Sequence, residues 1–175
     1  MLHTLSIALL PGLMIAAALT DLTTLRIPNW LTLLIAVLFF PMAWLTGMPL
    51  VEFGWHLAAG VILFAAGFAL FALRLFGGGD AKLMAAAGLW FGTSQTLPFL
   101  MATVIAGGLL AIAIAAWSFL MVSAEIHGAN TQSGLGKVAG KIKPKLPYGF
   151  AFAIGAILAY PQTWWMTGAA TKAIL

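Results

Sequence analysis

The chain has no cysteine. That excludes disulfides, thiolate zinc sites and cysteine nucleophiles, and says nothing of the redox compartment. Charge is scarce as well. Asp and Glu number four and Lys and Arg eight in 175 residues, 7% of the chain. The net charge of +4 comes mostly from one lysine-rich stretch. Its cations lack interleaved aromatics and no nucleic-acid motif occurs, so no nucleic-acid partner is expected. There is no H-E-x-x-H, and His3, His56 and His127 are scattered, which argues against a metalloprotease; no metal or cofactor is expected. No G-x-S-x-G motif accompanies a suitable histidine. No internal repeat and no soluble domain stand out.

What the chain does have is apolar length. It is 63% hydrophobic, with a mean hydropathy of +1.08. No soluble domain of this size can bury that much apolar surface. The runs are continuous and not alternating, which argues for helices over a barrel. Runs of roughly 18 or more apolar residues read as transmembrane helices. The pattern predicts an all-α membrane protein, a polytopic bundle of about six helices in one domain, residues 1–175. The spans are expected at Leu5–Thr20, Trp30–Thr46 with a kink at Pro41, Phe53–Leu75, a short Asp80–Phe91, Leu97–Val122 and Pro147–Trp165. The first run has no basic start and no small-residue cleavage pattern, so it reads as a helix of the mature chain, not as a signal peptide.

Loop cations suggest an orientation. Arg26 follows the first span, Arg74 and Lys82 flank the turn after the third, and Lys137, Lys141, Lys143 and Lys145 lie before the last. The stretches near Glu52 and Thr93–Thr96 carry neither Lys nor Arg. The positive-inside rule then places the cation-bearing loops in the cytoplasm and both termini outside. Ser123–Lys145 reads as a flexible cytoplasmic loop. Its lysines fix topology and touch anionic membrane lipid, or else help to admit a substrate. Trp30, Trp55, Trp90, Trp164 and Trp165 fall near span ends, as in an interfacial belt.

Two of the four acids stand out. Glu52 and Glu125 read as solvated loop charges. Asp21 ends the first span and Asp80 opens the fourth, so both fall at the cytoplasmic edge. An ionisable group at that depth is costly and points to function. The plainer reading makes each a cap or a partner of Arg26, Arg74 or Lys82, with Asp80 an N-cap favoured by the helix dipole. Two carboxylates that meet can share a proton, one staying acid while the other acts as base. That pair can activate water against a peptide bond, and it titrates as a unit. Gly77, Gly78 and Gly79 break the helix and let another segment approach closely. Lys82, two residues past Asp80, does not share its helix face. It reads as a contact for the substrate backbone or as a lysine snorkelling to the interface. Pro28 and Asn29 read as structural, and Tyr148 as an interfacial anchor.

Three segments together carry a resemblance. "DLTTLRIPNWL" (Asp21–Leu31), "GGGDAKL" (Gly77–Leu83) and "KLPYGFA" (Lys145–Ala151) resemble, in order, those of the type IV prepilin peptidases, which are GxGD aspartic proteases of the membrane. The resemblance implies that Asp21 and Asp80 are the catalytic pair, supported by Gly77, Gly79 and Lys82. It also implies six helices and cleavage of a class III leader just after a glycine, on the cytoplasmic side of a bacterial inner membrane. The implied partner is a small pilin precursor with a single N-terminal helix. Larger members carry a tetracysteine zinc region and methylate the new terminus. The absence of cysteine makes this chain similar to the short form serving Flp-type tight-adherence pili. Archaeal preflagellin peptidases share the plan and are the alternative. Presenilin-like proteases place Tyr before the first Asp, whereas here Thr20 precedes Asp21. Outside this class, the acids would serve a small proton-coupled transporter, against which stands the lack of midplane acids and of an inverted repeat. A non-catalytic assembly subunit, with Asp80 only a cap, is the third reading.

Overall fold

The computed structural model describes residues 2–128 and 146–168, and every regular element among them is helical. Helix α1 covers Leu2–Thr24, α2 Asn29–Leu45, α3 Leu50–Ala72, α4 Gly78–Gly128 and α5 Tyr148–Ala159. A 3₁₀ turn at Tyr160–Gln162 and a helical turn over 164–168 follow. Windows at Ile7–Thr24, Leu50–Ala72 and Gly78–Met121 are long and apolar enough to cross a bilayer, and α2 is apolar but shorter. Large apolar side chains such as Leu33, Phe64, Phe68, Val104 and Leu109 stay exposed. In water such a surface would be costly; in lipid it meets its own kind. The chain is an all-α membrane protein.

Helix α4 is broken at Gly92, whose φ of 61° and ψ of 178° lie outside the helical region. A positive φ is open to glycine and costly for other residues. Phe91 and Phe99 would stand about 12 Å apart along a straight helix. Their rings instead stack with centroids 4.4 Å apart. The chain therefore folds back at Gly92 into two arms, 78–91 and 93–128. These correspond to the fourth and fifth expected spans, but the loop expected at Thr93–Thr96 is absent. Helix resumes at once, and Thr96 Oγ1 donates to the Gly92 carbonyl at 2.6 Å. Residues 123–128, expected in the polar loop, are the last turns of the second arm, and 129–145 lie outside the described residues. Helix α2 continues past Pro41 as a single helix.

The first arm is about 21 Å long, shorter than the roughly 30 Å hydrocarbon core. It is viable because protein surrounds it: Leu83, Met84, Ala87, Trp90 and Phe91 are all buried. The break interrupts the i to i+4 ladder and frees carbonyls at its end. Side chains from elsewhere take them. His56 Nδ1 lies 2.6 Å from the Leu89 carbonyl, which makes it the protonated ring nitrogen. The Trp165 indole N–H donates to the Trp90 carbonyl at 2.6 Å, and the Trp90 indole to the Ile35 carbonyl at 2.8 Å. Trp90 and Trp165 are thus core residues at 0% exposure, not members of an interfacial belt; Trp30 and Trp55 are exposed. Glu52, expected as a loop charge, stands in the first turn of α3 with Oε1 3.7 Å from His56 Nε2. Replacing Trp165 by Phe keeps an aromatic ring but strands the buried Trp90 carbonyl. The expected loss is about 1–3 kcal/mol of stability, read from denaturant unfolding in micelles.

Close packing sets the position of the first arm. A methyl group on Gly67 of α3 would come within 3.1 Å of the Ala81 Cα, and one on Gly88 within 2.8 Å of Leu63 Cδ1. Small residues here let the two backbones approach as membrane helices do. On the other side, α5 packs against α4 and α1, with Gly155 backed directly on Thr103 of the second arm.

Candidate active site

Helix α1 ends just beyond Asp21. The Leu25 N–H donates to the Asp21 carbonyl at 2.8 Å, and Leu25 takes a left-handed φ of 52°. This is the helix-ending turn usually given to glycine. The turn carries Ile27 inward, where it is buried. Gly79 meets it there: a methyl group on Gly79 would lie 3.3 Å from Ile27 Cβ. The α1–α2 turn is thereby pressed onto the start of α4. Asp21 and Asp80 come to the same end of the bundle, close enough for the Asp21 charge to act on Asp80.

Asp80 is the third residue of α4, not its cap. The Gly77 carbonyl accepts the Ala81 N–H at 3.1 Å, so Gly77 occupies the capping position. The Gly77 N–H is turned toward the Asp80 carboxylate, as when an acid at the third helical position reaches back to the cap. A methyl group on Gly77 would stand 2.5 Å from Asp80 Oδ2. Asp80 itself is half-buried.

Asp21 is 5% exposed, and its Oδ2 accepts the Gly149 N–H at 2.7 Å. Gly149 is the second residue of α5, and a first-turn N–H has no partner within its own helix. Pro147 at the cap offers no side-chain bond. Asp21 fills that role from another helix. A methyl group on Gly149 would lie 2.9 Å from Asp21 Cβ. Gly149 was not among the candidates read from the sequence. The signal was the Pro147 that starts α5, which implies free amides two residues on.

The two acids therefore stand at two helix N-termini, each beside a glycine amide, one enclosed and one reachable. Such a pair can hold one proton between them and act on water as base and acid together. Phe76 and Tyr148, immediately before Gly77 and Gly149, face each other with ring centroids 5.6 Å apart. Both line an apolar cavity of about 300 Å³ that continues along Gly107 and Phe152. Lys82 takes no part in the pair. Its Nζ donates to Asn29 Oδ1 at 3.0 Å, tying α4 to the start of α2. Among the described residues, no three His, Cys, Asp or Glu side chains come together as metal ligands would.

A family model described as the type IV leader peptidase family matches residues 8–112, more than half of the chain. That stretch contains Asp21, Gly77, Gly79, Asp80 and Lys82, and ends before Gly149. Neither the curated proteins nor the solved structures provide a match.

Proposed function

The chain belongs to the type IV leader peptidase family, and from that premise we propose that it is an aspartic endopeptidase of the membrane, with Asp21 and Asp80 as its catalytic pair. What supports the reading is the placement of two acids from separate helices at one end of an apolar bundle, each beside a glycine amide and within electrostatic range of the other. One carboxylate takes a proton from water. The water oxygen attacks the scissile carbonyl while the other group, as the acid, protonates the carbonyl oxygen. The resulting diol collapses, the C–N bond breaks, and a proton passes to the departing amine. No covalent link to the protein is needed.

The substrate is a pilin-like precursor of the Flp type, held as a single apolar helix with its leader in the cytoplasm and cut after a leader glycine. Two features support this. Arg26, Arg74 and Lys82 belong to the segments at the same end as the acids, the cytoplasmic end by the positive-inside rule. The apolar cavity beside Phe76 and Tyr148 suits an aliphatic helix and offers a charged leader nothing. Lys82 acts as a strut from α4 to α2. The test uses the purified protein in liposomes with a leader-bearing precursor. The expected result is a single new terminus directly after the leader glycine, identified by mass spectrometry. A folded protein that leaves the precursor intact, or cuts it within the mature helix, contradicts the proposal.

A further inference from the structure

Helices α2 and α3 both rest on the first arm of α4, but they close on each other at one end only. Toward the α2–α3 turn, Phe39 stacks on Phe53 with centroids 5.6 Å apart, and Phe40 meets Phe53 edge-on at 6.2 Å. Toward the start of α4 the two helices leave a trough of about 560 Å³. Its walls are apolar, with Ala36 on α2, Phe64 on α3 and Ala85 on the floor. Polar groups gather at the open end, where Lys82 and Asn29 line it. The floor from Lys82 to Leu89 is about 10 Å long.

The charges at that end are unbalanced. Lys82 is exposed and spends one of its three N–H groups on Asn29, a neutral partner. Arg26 lies three residues before Asn29, and Arg74 lies two beyond the end of α3; both are exposed. Among the described residues none of these three cations has a carboxylate partner. Asp80 does not serve Lys82, since side chains two residues apart point to different faces.

We propose that the trough is a binding site for an anionic phospholipid, one acyl chain lying on the Lys82–Leu89 floor and the phosphate at Lys82. The site is separate from the carboxylate pair and does not depend on the peptidase reading. A lipid fits better than a helix. A helix with its side chains is about 10 Å across, and this trough pinches shut at the Phe39–Phe53 stack. Basic pockets between membrane helices bind anionic headgroups by the same charge complementarity.

The test is native mass spectrometry of the purified full chain, titrated with phosphatidylglycerol or phosphatidylcholine of identical acyl chains. Wild type is expected to retain phosphatidylglycerol at roughly five- to tenfold lower concentration, about what one cation at the surface supplies. Lys82→Gln is expected to lose that preference and Lys82→Arg to keep it. Ala36→Phe, which fills the trough and leaves every charge in place, weakens both lipids. A photoreactive phenylalanine analogue replacing Leu33, on the same wall, is expected to add the mass of one phospholipid in native membranes. Equal retention of the two lipids by wild type overturns the proposal. So does a preference that survives Lys82→Gln, or a Leu33 probe that captures only protein. Should Lys82→Gln fail to fold, Ala36→Phe and the Leu33 probe still decide.

Discussion

Asp21→Asn and Asp80→Asn are each expected to lower leader cleavage by about 10²–10⁴-fold while leaving protein levels in the membrane unchanged. Asparagine keeps the shape of the carboxyl group, and at Asp21 its amide oxygen can still accept the Gly149 N–H. What it lacks is any capacity to take or give a proton in this range. Positioned proton transfer contributes about that factor, equivalent to about 3–5 kcal/mol of barrier. Because the two acids act as a unit, the double variant is expected to be no slower than the worse single one. Cleavage assays on purified protein, with elution profiles to check folding, read the effect. Two independent losses that multiply would mean the acids do separate jobs.

Gly149→Ala is expected to cost roughly 10–100-fold in kcat with little change in KM. The new methyl group would stand 2.9 Å from Asp21 Cβ and 3.0 Å from Oδ2, closer than atoms pack. Either α5 or the Asp21 side chain must shift. A displacement of about 1 Å at a reacting group costs on the order of 10²-fold. Alanine is a better helix former than glycine, and a thermal unfolding curve run beside the assay separates a displaced Asp21 from a destabilised fold. Gly149→Val carries more bulk to the same place and is expected to be worse. A Gly149→Ala enzyme with wild-type kcat would remove Gly149 as a positioning residue.

Most of the helices are legible in the sequence because lipid asks for long apolar runs, and α1, α3 and the second arm of α4 announce themselves that way, while α2 and the first arm of α4 are shorter. The reversal after Phe91 is legible, but its form, a break at Gly92 alone, is hidden. The polar run after it looks like a loop, yet Thr96 returns its hydroxyl to the backbone and helix carries on. Trp90 and Trp165 mislead for a related reason. A tryptophan near a span end reads as a belt residue, and only the broken ladder at Gly92 reveals carbonyls that need an indole donor. In the site, Asp21 and Asp80 are conspicuous because acids are rare in this chain. Gly149 is not, since its contribution is a backbone amide and no side chain signals it. The spacing of Lys82 from Asp80 already sets it off that face, but its bond to Asn29 of another helix is not legible in the sequence.

The central claim is that Asp21 and Asp80 meet at one site within the membrane. Since the chain has no cysteine, an Asp21→Cys/Asp80→Cys variant carries only the two introduced thiols. Treated in native membranes with a short thiol-bridging reagent, it is expected to form an intramolecular cross-link, found by mass spectrometry as one joined peptide pair. An Asp21→Cys/Lys82→Cys control, aimed at the opposite face of α4, should form far less. Efficient linkage in the control, with none between positions 21 and 80, would contradict the account.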